Sequence, residues 1–379
     1  MIFDGLTITI CGVLLVLTLL SVVLDLFRKK VSSCEIHDDA ENGKPVSVVI
    51  IADNNDGALK ANLPLFLSQD YPGGFEVIVV VASDGDDTAG VIESYSKVPN
   101  FYATYVPKSS RYMSRRKLAV TLGVKAAKHE WVLLTDAACC PVTDKWIGNM
   151  SSCRHRGVDM VYGYGNYAEG TGQFKMFSRF HREYLLIREA QSGMGYGMAG
   201  CNLMFRKSMF MAGNGFQGNL KYLRGEYDFL VNKYASTGNI AVCLEPEAFI
   251  VEETPTAKGW HDRNVFYFET RRHLERSVRH RALFNSDMLS LHACFVAALC
   301  ALGYSILFHN WLILLFSAIA LFVPLIARTL FARRAMDAFG LVVPWFKVVP
   351  FELRLVWHGL KYAVAYRMSD KYEFISHKS

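Results

Sequence analysis

The chain has 379 residues, 51% of them hydrophobic, and a formal net charge of +6. That length holds one large domain plus appendages, and the hydrophobic share is high for a soluble enzyme because it is gathered into a few runs. The charge is modest and sits beside those runs, which disfavours a nucleic-acid-binding protein and points to anionic membrane lipid. Nine cysteines, odd in number and without a C-x-x-C pair, indicate neither a disulfide framework nor a zinc site.

Residues 7–26 are apolar except for Asp25, and about 20 such residues span a bilayer core as a helix. No basic stretch precedes them and no small-residue cleavage site follows, so residues 1–30 read as an anchor, not a signal peptide. Residues 31–44 are polar and form a linker. PVSVVIIA (45–52) is a continuous β-branched run, the pattern of a strand buried on both faces. EVIVVVA (76–82), FYATYV (101–106) and EWVLLT (130–135) repeat it, with helical patterns between them near 59–67, 86–96 and 115–128. Strands alternating with helices at this spacing give an α/β fold with a Rossmann-like, mostly parallel sheet. Two further apolar runs, 288–308 and 311–327, are parted only by His309 and Asn310 and form a helical hairpin within 276–335. The tail, 336–379, is hydrophobic but carries Lys347, Glu352, Arg354, His358 and Lys361 with two prolines, which suits interfacial amphipathic segments better than a fourth span.

Neither G-x-G-x-x-G nor G-x-x-x-x-G-K-[ST] follows the first strand, so phosphates must be held by another device. A cation held by carboxylates is the usual alternative. Asp136 ends the fourth strand at the lip where an open α/β sheet faces its ligand. The next side chains, Ala137, Ala138, Cys139 and Cys140, give a hard cation no oxygen. Asp136 therefore stands as a catalytic remnant, a lone metal ligand or a cap for the following turn.

The order of PVSVVIIADNND, LSQDYPGGFEVIVVVASDGDDT, KLAVTLGVKAAKHEWVLLTDAACCP, GCNLMFRKSMF and GEYDFLVN resembles a family-2 glycosyltransferase of the type A fold over about residues 45–275. The membrane-anchored group of Bacteroidetes-like bacteria is the nearest likeness. The resemblance implies a nucleotide-sugar site at Asp53, Asn54, Asp84, Asp86, Lys117 and Asp136. It implies catalytic carboxylates at Glu226, as base, and Asp228, its follower, and an acceptor and diphosphate side at Gly200, Asn202, Arg206, Trp260 and Arg263. The family's metal motif D-x-D reads Asp136-Ala137-Ala138, so Mn²⁺ or Mg²⁺ would be held through Asp136 with its second ligand lost. Tyr227 also stands where the family has an acid.

Plainer roles stand beside these. Asp84, Asp86 and Asp87 suit an N-cap cluster, Lys117 a solvated basic turn with Arg111, Arg115 and Arg116, and Gly200 and Asn202 a loop. Two functions follow from the resemblance. One is an inverting transferase taking a nucleotide-diphospho-sugar to a lipid-linked or membrane glycan acceptor. The other is a catalytically reduced relative acting as partner to an active glycosyltransferase. Basic residues flank the three spans on consistent sides: Arg28 to Lys30, then Arg279 and Arg281, then Arg328, Arg333 and Arg334. The positive-inside rule puts residues 28–287 and the tail in the cytoplasm of a bacterial inner membrane. A reporter fused after Ser379 is expected to be cytoplasmic and one at residue 1 external; protection of 45–275 from cytoplasmic labelling would overturn this topology.

Overall fold

The computed structural model describes residues 4–35, 43–53, 56–82, 87–107 and 114–375. These form two compact units: residues 1–30 with 278–361, and residues 31–277 with 362–379. The expected glycosyltransferase-like region is the body of the second unit. The expected amphipathic tail is divided, because the boundary falls after Lys361.

The elements run in chain order from α1 (Gly5–Val23) to β1 (Val46–Ala52), α2 (Asp56–Leu67), β2 (Phe75–Val81), α3 (Asp87–Ser94), β3 (Phe101–Tyr105), α4 (Arg115–Ala126) and β4 (Trp131–Asp136). Then come β5 (Cys139–Pro141), α5 (Trp146–Ser152), β6 (Met160–Gly163), β7 (Gly165–Tyr167), α6 (Gln173–Gln191), β8 (Leu203–Arg206) and α7 (Lys207–Ala212). The chain continues through α8 (Glu226–Tyr234), β9 (Ile240–Cys243), β10 (Ile250–Glu252) and α9 (Ala257–Thr270) to α10 (Ser277–Leu307), α11 (Trp311–Ala338) and α12 (Val348–Met368).

In the second unit, a seven-stranded sheet has the order β3-β2-β1-β4-β8-β6-β9. β1 pairs in parallel with both β2 and β4, so every residue of β1 is buried, as its unbroken apolar run requires. β8 is antiparallel to both β4 and β6 and makes the sheet mixed. A three-stranded sheet, β5-β10-β7, continues just past the end of β4. Helix α4 lies close on the parallel half, and a Cβ at Gly123 would come within 2.4 Å of a Val49 methyl. Only glycine lets the helix approach that closely.

Cys34 and Cys153 form a disulfide that ties the linker to the end of α5, correcting the reading that no such bond exists. Their Cα atoms are 6.0 Å apart across 119 residues, a juxtaposition made by the fold and invisible in local spacing. The same segment is also held by Cys34 N–H to the Val242 carbonyl and by Leu244 N–H to Ser33 Oγ.

In the first unit, α1, α10 and α11 are long and apolar enough to cross a membrane. Their shared core is built from small or slender side chains, including Cys11, Leu14, Cys294, Ala298, Ala301 and Ala320, which let helices approach closely where lipid offers no hydrophobic drive. Arg328 of α11 is fully buried. It donates to Asp287 of α10 and to Glu352 of α12, each at 2.8 Å, and to the Ser21 carbonyl of α1. Asp25 lies 3.9 Å away. One guanidinium thus ties four segments of this unit. Arg328→Met should lower stability by about 3–5 kcal/mol, because it strands buried carboxylates. Thermal unfolding in detergent checks this, and adding Glu352→Gln to the variant should recover part of the loss.

Candidate active site

A cleft of about 350 Å³ opens in the second unit where β1, β4, α8, β10 and α9 converge. Asp53 follows β1, Asp136 ends β4, and Glu226 opens α8; all three line the cleft. Gly225 delivers Glu226 there. Its φ of +87° is a left-handed conformation, and a Cβ would meet Thr270 Cγ2 at 2.5 Å, so the turn into α8 demands glycine.

One side chain joins these carboxylates. Arg116, in the first turn of α4, donates from Nη2 to both oxygens of Asp136 at 2.8 Å and from Nε to Glu226 Oε1 at 2.5 Å. Its Nη1 makes a longer contact of 3.5 Å to Asp53. Burial disfavours the charge on Arg116, but Asp136, Glu226 and Asp53 outweigh it and hold the guanidinium firmly protonated. Burial likewise pushes the Glu226 carboxyl up, yet Arg116 and Arg224 more than offset it and hold it at about 2. Glu226 Oε2 is buried and has no hydrogen-bond partner among the described residues. One oxygen is anchored by Arg116 and the other is buried beside it, so the carboxyl is held ionised. Tyr227 directs its hydroxyl at Asp136, 3.4 Å away.

The other cleft carboxylates are matched in the same way. Asp228 accepts from the Met198 N–H at 3.2 Å and from Arg182 at 3.4 Å, with Arg182 stacked 3.5 Å over the Tyr267 ring. Glu252, at the end of β10, is bound by Arg179 at 2.5 Å and by both terminal nitrogens of Arg263, which also donates to the Tyr167 hydroxyl. Arg263 therefore lines the cleft on α9 with its charge already matched. Gly200 lines it as well, where a Cβ would lie 2.7 Å from Glu183 Oε1.

Four expected site residues lie elsewhere. Lys117 is buried behind the cleft and donates to the carbonyls of Asn219, Tyr222 and Arg224, so it pins the loop before Glu226 and neither faces a diphosphate nor forms a solvated turn. Burial lowers its ammonium to about 7, partly countered by Glu226 and Asp228. Asn202 is buried and holds Trp146 and the carbonyls of Tyr164 and Ala248. Arg206 pairs with Asp159 and covers the Trp131 ring. Trp260 does not line the cleft and packs edge-on to Tyr167. Asn54, Asp84 and Asp86 lie outside the described residues.

The tail also reaches this region. Tyr362, Tyr366 and Phe374 pack against Val265 of α9, and the Phe374 carbonyl accepts from Leu223 N–H in the loop pinned by Lys117. Residues 362–375 thus brace the site, where the amphipathic pattern suggested a membrane-surface segment throughout.

A divalent ion fits poorly here. Ala138 offers only a methyl, and both Asp136 oxygens are already engaged by Arg116. Cys139, Cys201 and Glu252 do bring ligand atoms within 4.8 Å of one another. Thiols suit softer ions than Mn²⁺ or Mg²⁺, however, and Glu252 already serves two arginines.

Glu252 gives a pH prediction. Burial raises its carboxyl, but Arg179 and Arg263 win and hold it at about 2, below its ordinary 4.5. A carboxylate depressed on folding stabilises the protein above its unfolded value and loses that contribution as pH falls towards 2. The window is therefore pH 4.5 to 2 and the contribution up to about 3 kcal/mol. Glu252→Gln should lower the unfolding temperature at pH 7, and the gap from the natural chain should close across that window. A gap independent of pH would show that the charge is not what stabilises.

The sequence matches the family described as glycosyl transferase family 21 over residues 12–366. No curated protein matches it. Among solved structures, a mannosyltransferase from Pyrobaculum calidifontis, in complex with GDP-Man and Mn²⁺, is 17% identical with a TM-score of 0.53, covering 93% of this chain and 97% of its own. S. aureus TarS is 16% identical with a TM-score of 0.43, covering 64% of this chain and 42% of its own. Its 1–349 fragment with UDP-GlcNAc is 13% identical with a TM-score of 0.41, covering 85% and 92%. The mannosyltransferase shares the type A architecture expected from the strand order. The family-2 resemblance and the family-21 match name the same class of enzyme. With nearly its whole length inside that match, the chain belongs to glycosyltransferase family 21.

Proposed function

We propose that this glycosyltransferase moves a sugar, with inversion, from a nucleotide-diphospho-sugar to a membrane-held acceptor in cell-envelope glycan synthesis. The reading rests on Glu226: a buried carboxylate at the cleft floor with one oxygen fixed by Arg116 and the other without a partner. A general base needs fixed geometry, a free lone pair and a pKa near the operating pH. The hold of Arg116 and Arg224 that keeps Glu226 at about 2 must therefore pass to the diphosphate for the carboxylate to take a proton. Glu226 takes the proton of the acceptor hydroxyl as its oxygen attacks the anomeric carbon. The leaving diphosphate departs on the opposite side, which inverts the centre. Asp228, held by Arg182 and the Met198 amide, orients the acceptor side. The donor class follows from family membership, and the GDP-Man complex of the Pyrobaculum enzyme is consistent with it. The three spans hold the unit at the inner membrane, facing the cytoplasm. There the Cys34–Cys153 pair would be kept as thiols, the linker staying held by its hydrogen bonds. A disulfide intact in cells would argue for the opposite orientation.

A second reading is a catalytically reduced partner of an active transferase. Tyr227 and Ala138 favour it, each standing where the family places an acid. One experiment separates the two. In the enzyme, Glu226→Gln lowers turnover by about 10²-fold or more while nucleotide-sugar binding persists, and Asp228→Asn costs less. The reverse order would move the base to Asp228. In the scaffold neither variant alters glycan output in cells, whereas loss of the whole chain does.

A further inference from the structure

We propose that Arg116 takes the place of the divalent cation, so that the diphosphate is neutralised by a guanidinium and transfer proceeds without metal. The inference rests on reading the cleft as a nucleotide-diphospho-sugar site. Three observations carry it. Ala138, at the second metal-ligand position, lines the cleft with a methyl. Arg116 Nη2 engages both oxygens of Asp136, the one acid left in that motif. The same guanidinium reaches carboxylates from two further elements, Asp53 and Glu226, which makes it the charge around which the cleft acids are arranged.

A divalent ion would have to displace Arg116 from Asp136, and among the described residues the carboxylates beside it, Asp53 and Glu226, are held by the same guanidinium. Mg²⁺ in particular demands near-ideal octahedral oxygen geometry. A guanidinium has what a diphosphate needs: a permanent charge and a planar fork of N–H donors. Nε and Nη2 of Arg116 are committed, whereas among the described residues Nη1 has only the 3.5 Å contact to Asp53. Because three carboxylates already share the charge of Arg116, the diphosphate also needs Arg224, half exposed and 3.6 Å from Asp53, as a second cation.

In the step itself, the bond from the acceptor oxygen to the anomeric carbon forms as the bond from that carbon to the phosphate oxygen breaks. The hydroxyl proton passes to the Glu226 carboxylate, whose hold on Arg116 loosens as the guanidinium turns to the diphosphate. The bonding pair leaves with the nucleoside diphosphate, and the negative charge it gains develops against Arg116 and Arg224.

Binding of UDP and GDP to the detergent-purified full chain, measured by calorimetry, tests the proposal without requiring turnover. With excess EDTA the affinity for the preferred nucleotide should match that with Mn²⁺ or Mg²⁺. Arg116→Ala should weaken it by about 10-fold or more, and Arg116→Lys by less, as loss of a charge-assisted bidentate contact predicts. Arg116→Ala combined with Ala138→Asp should regain affinity only when Mn²⁺ is present, with Mn²⁺ uptake visible by electron paramagnetic resonance. Nucleotide binding by the natural chain that needs metal would overturn the proposal and leave the proposed function standing. Unchanged binding by a folded Arg116→Ala variant would also overturn it. Absence of binding in every condition would sink the nucleotide-sugar reading itself. The EDTA comparison uses the natural chain and so survives any failure of the variants to fold.

Discussion

The contact of Arg116 with Asp53, Asp136 and Glu226 is the constraint on which the cleft depends. These carboxylates come from the ends of β1 and β4 and the start of α8, three parts of the chain brought close by the fold. Three such anions packed at one cleft floor would repel strongly at low effective dielectric. The guanidinium turns that repulsion into an attachment point, and its planar fork fixes the direction of each acid. Asp136 stands at the lip of the sheet with both oxygens on Arg116. It is the residue through which α4 is fastened to the end of the central strand.

The rest of the site repeats that chemistry. Arg182 holds Asp228, and Arg179 with Arg263 holds Glu252, so these cleft carboxylates too are oriented by guanidinium groups from other elements. Buried pairs of this kind add little net stability but are costly to break one partner at a time, which makes them good orienting devices. Neighbouring Lys117 serves a different end. One step further along α4 turns its side chain away from the cleft, where it gathers three carbonyls of the loop leading to Glu226. Two adjacent basic residues thus fix the same carboxylate, one directly and one through the backbone that carries it.

The parallel half of the sheet and the three spans were legible because both are written in long apolar runs whose period and length admit few alternatives. Asp136 and Glu226 were legible from the resemblance, since each sits where a strand ends or a helix begins. Arg116 was not. A basic turn reads the same whether it is solvated or buried against acids, and the family pattern drew attention to Lys117, one residue away. The acids that meet Arg116 are 63, 20 and 110 residues distant, so no local pattern announces them. β8 inserts antiparallel between β4 and β6, and β10 joins β5 and β7 from far along the chain; short strands paired over such distances leave no periodic signal. Cys34 and Cys153 were missed for the same reason.

Helix α9 forms one wall of the cleft and is supported from its other face. α9 supplies Arg263 and Tyr267 to the cleft on one face, and on the other packs Val265 against Tyr362, Tyr366 and Phe374. Tyr366 donates to Glu269 and accepts from Arg272 at 2.7 Å, so apolar packing and polar contacts bind the tail to the same segment. Two of the three chain crossings between the units occur here, at 277–278 after α9 and at 361–362 before the bracing tail. The cleft wall is therefore braced from behind by the C-terminal segment of its own unit.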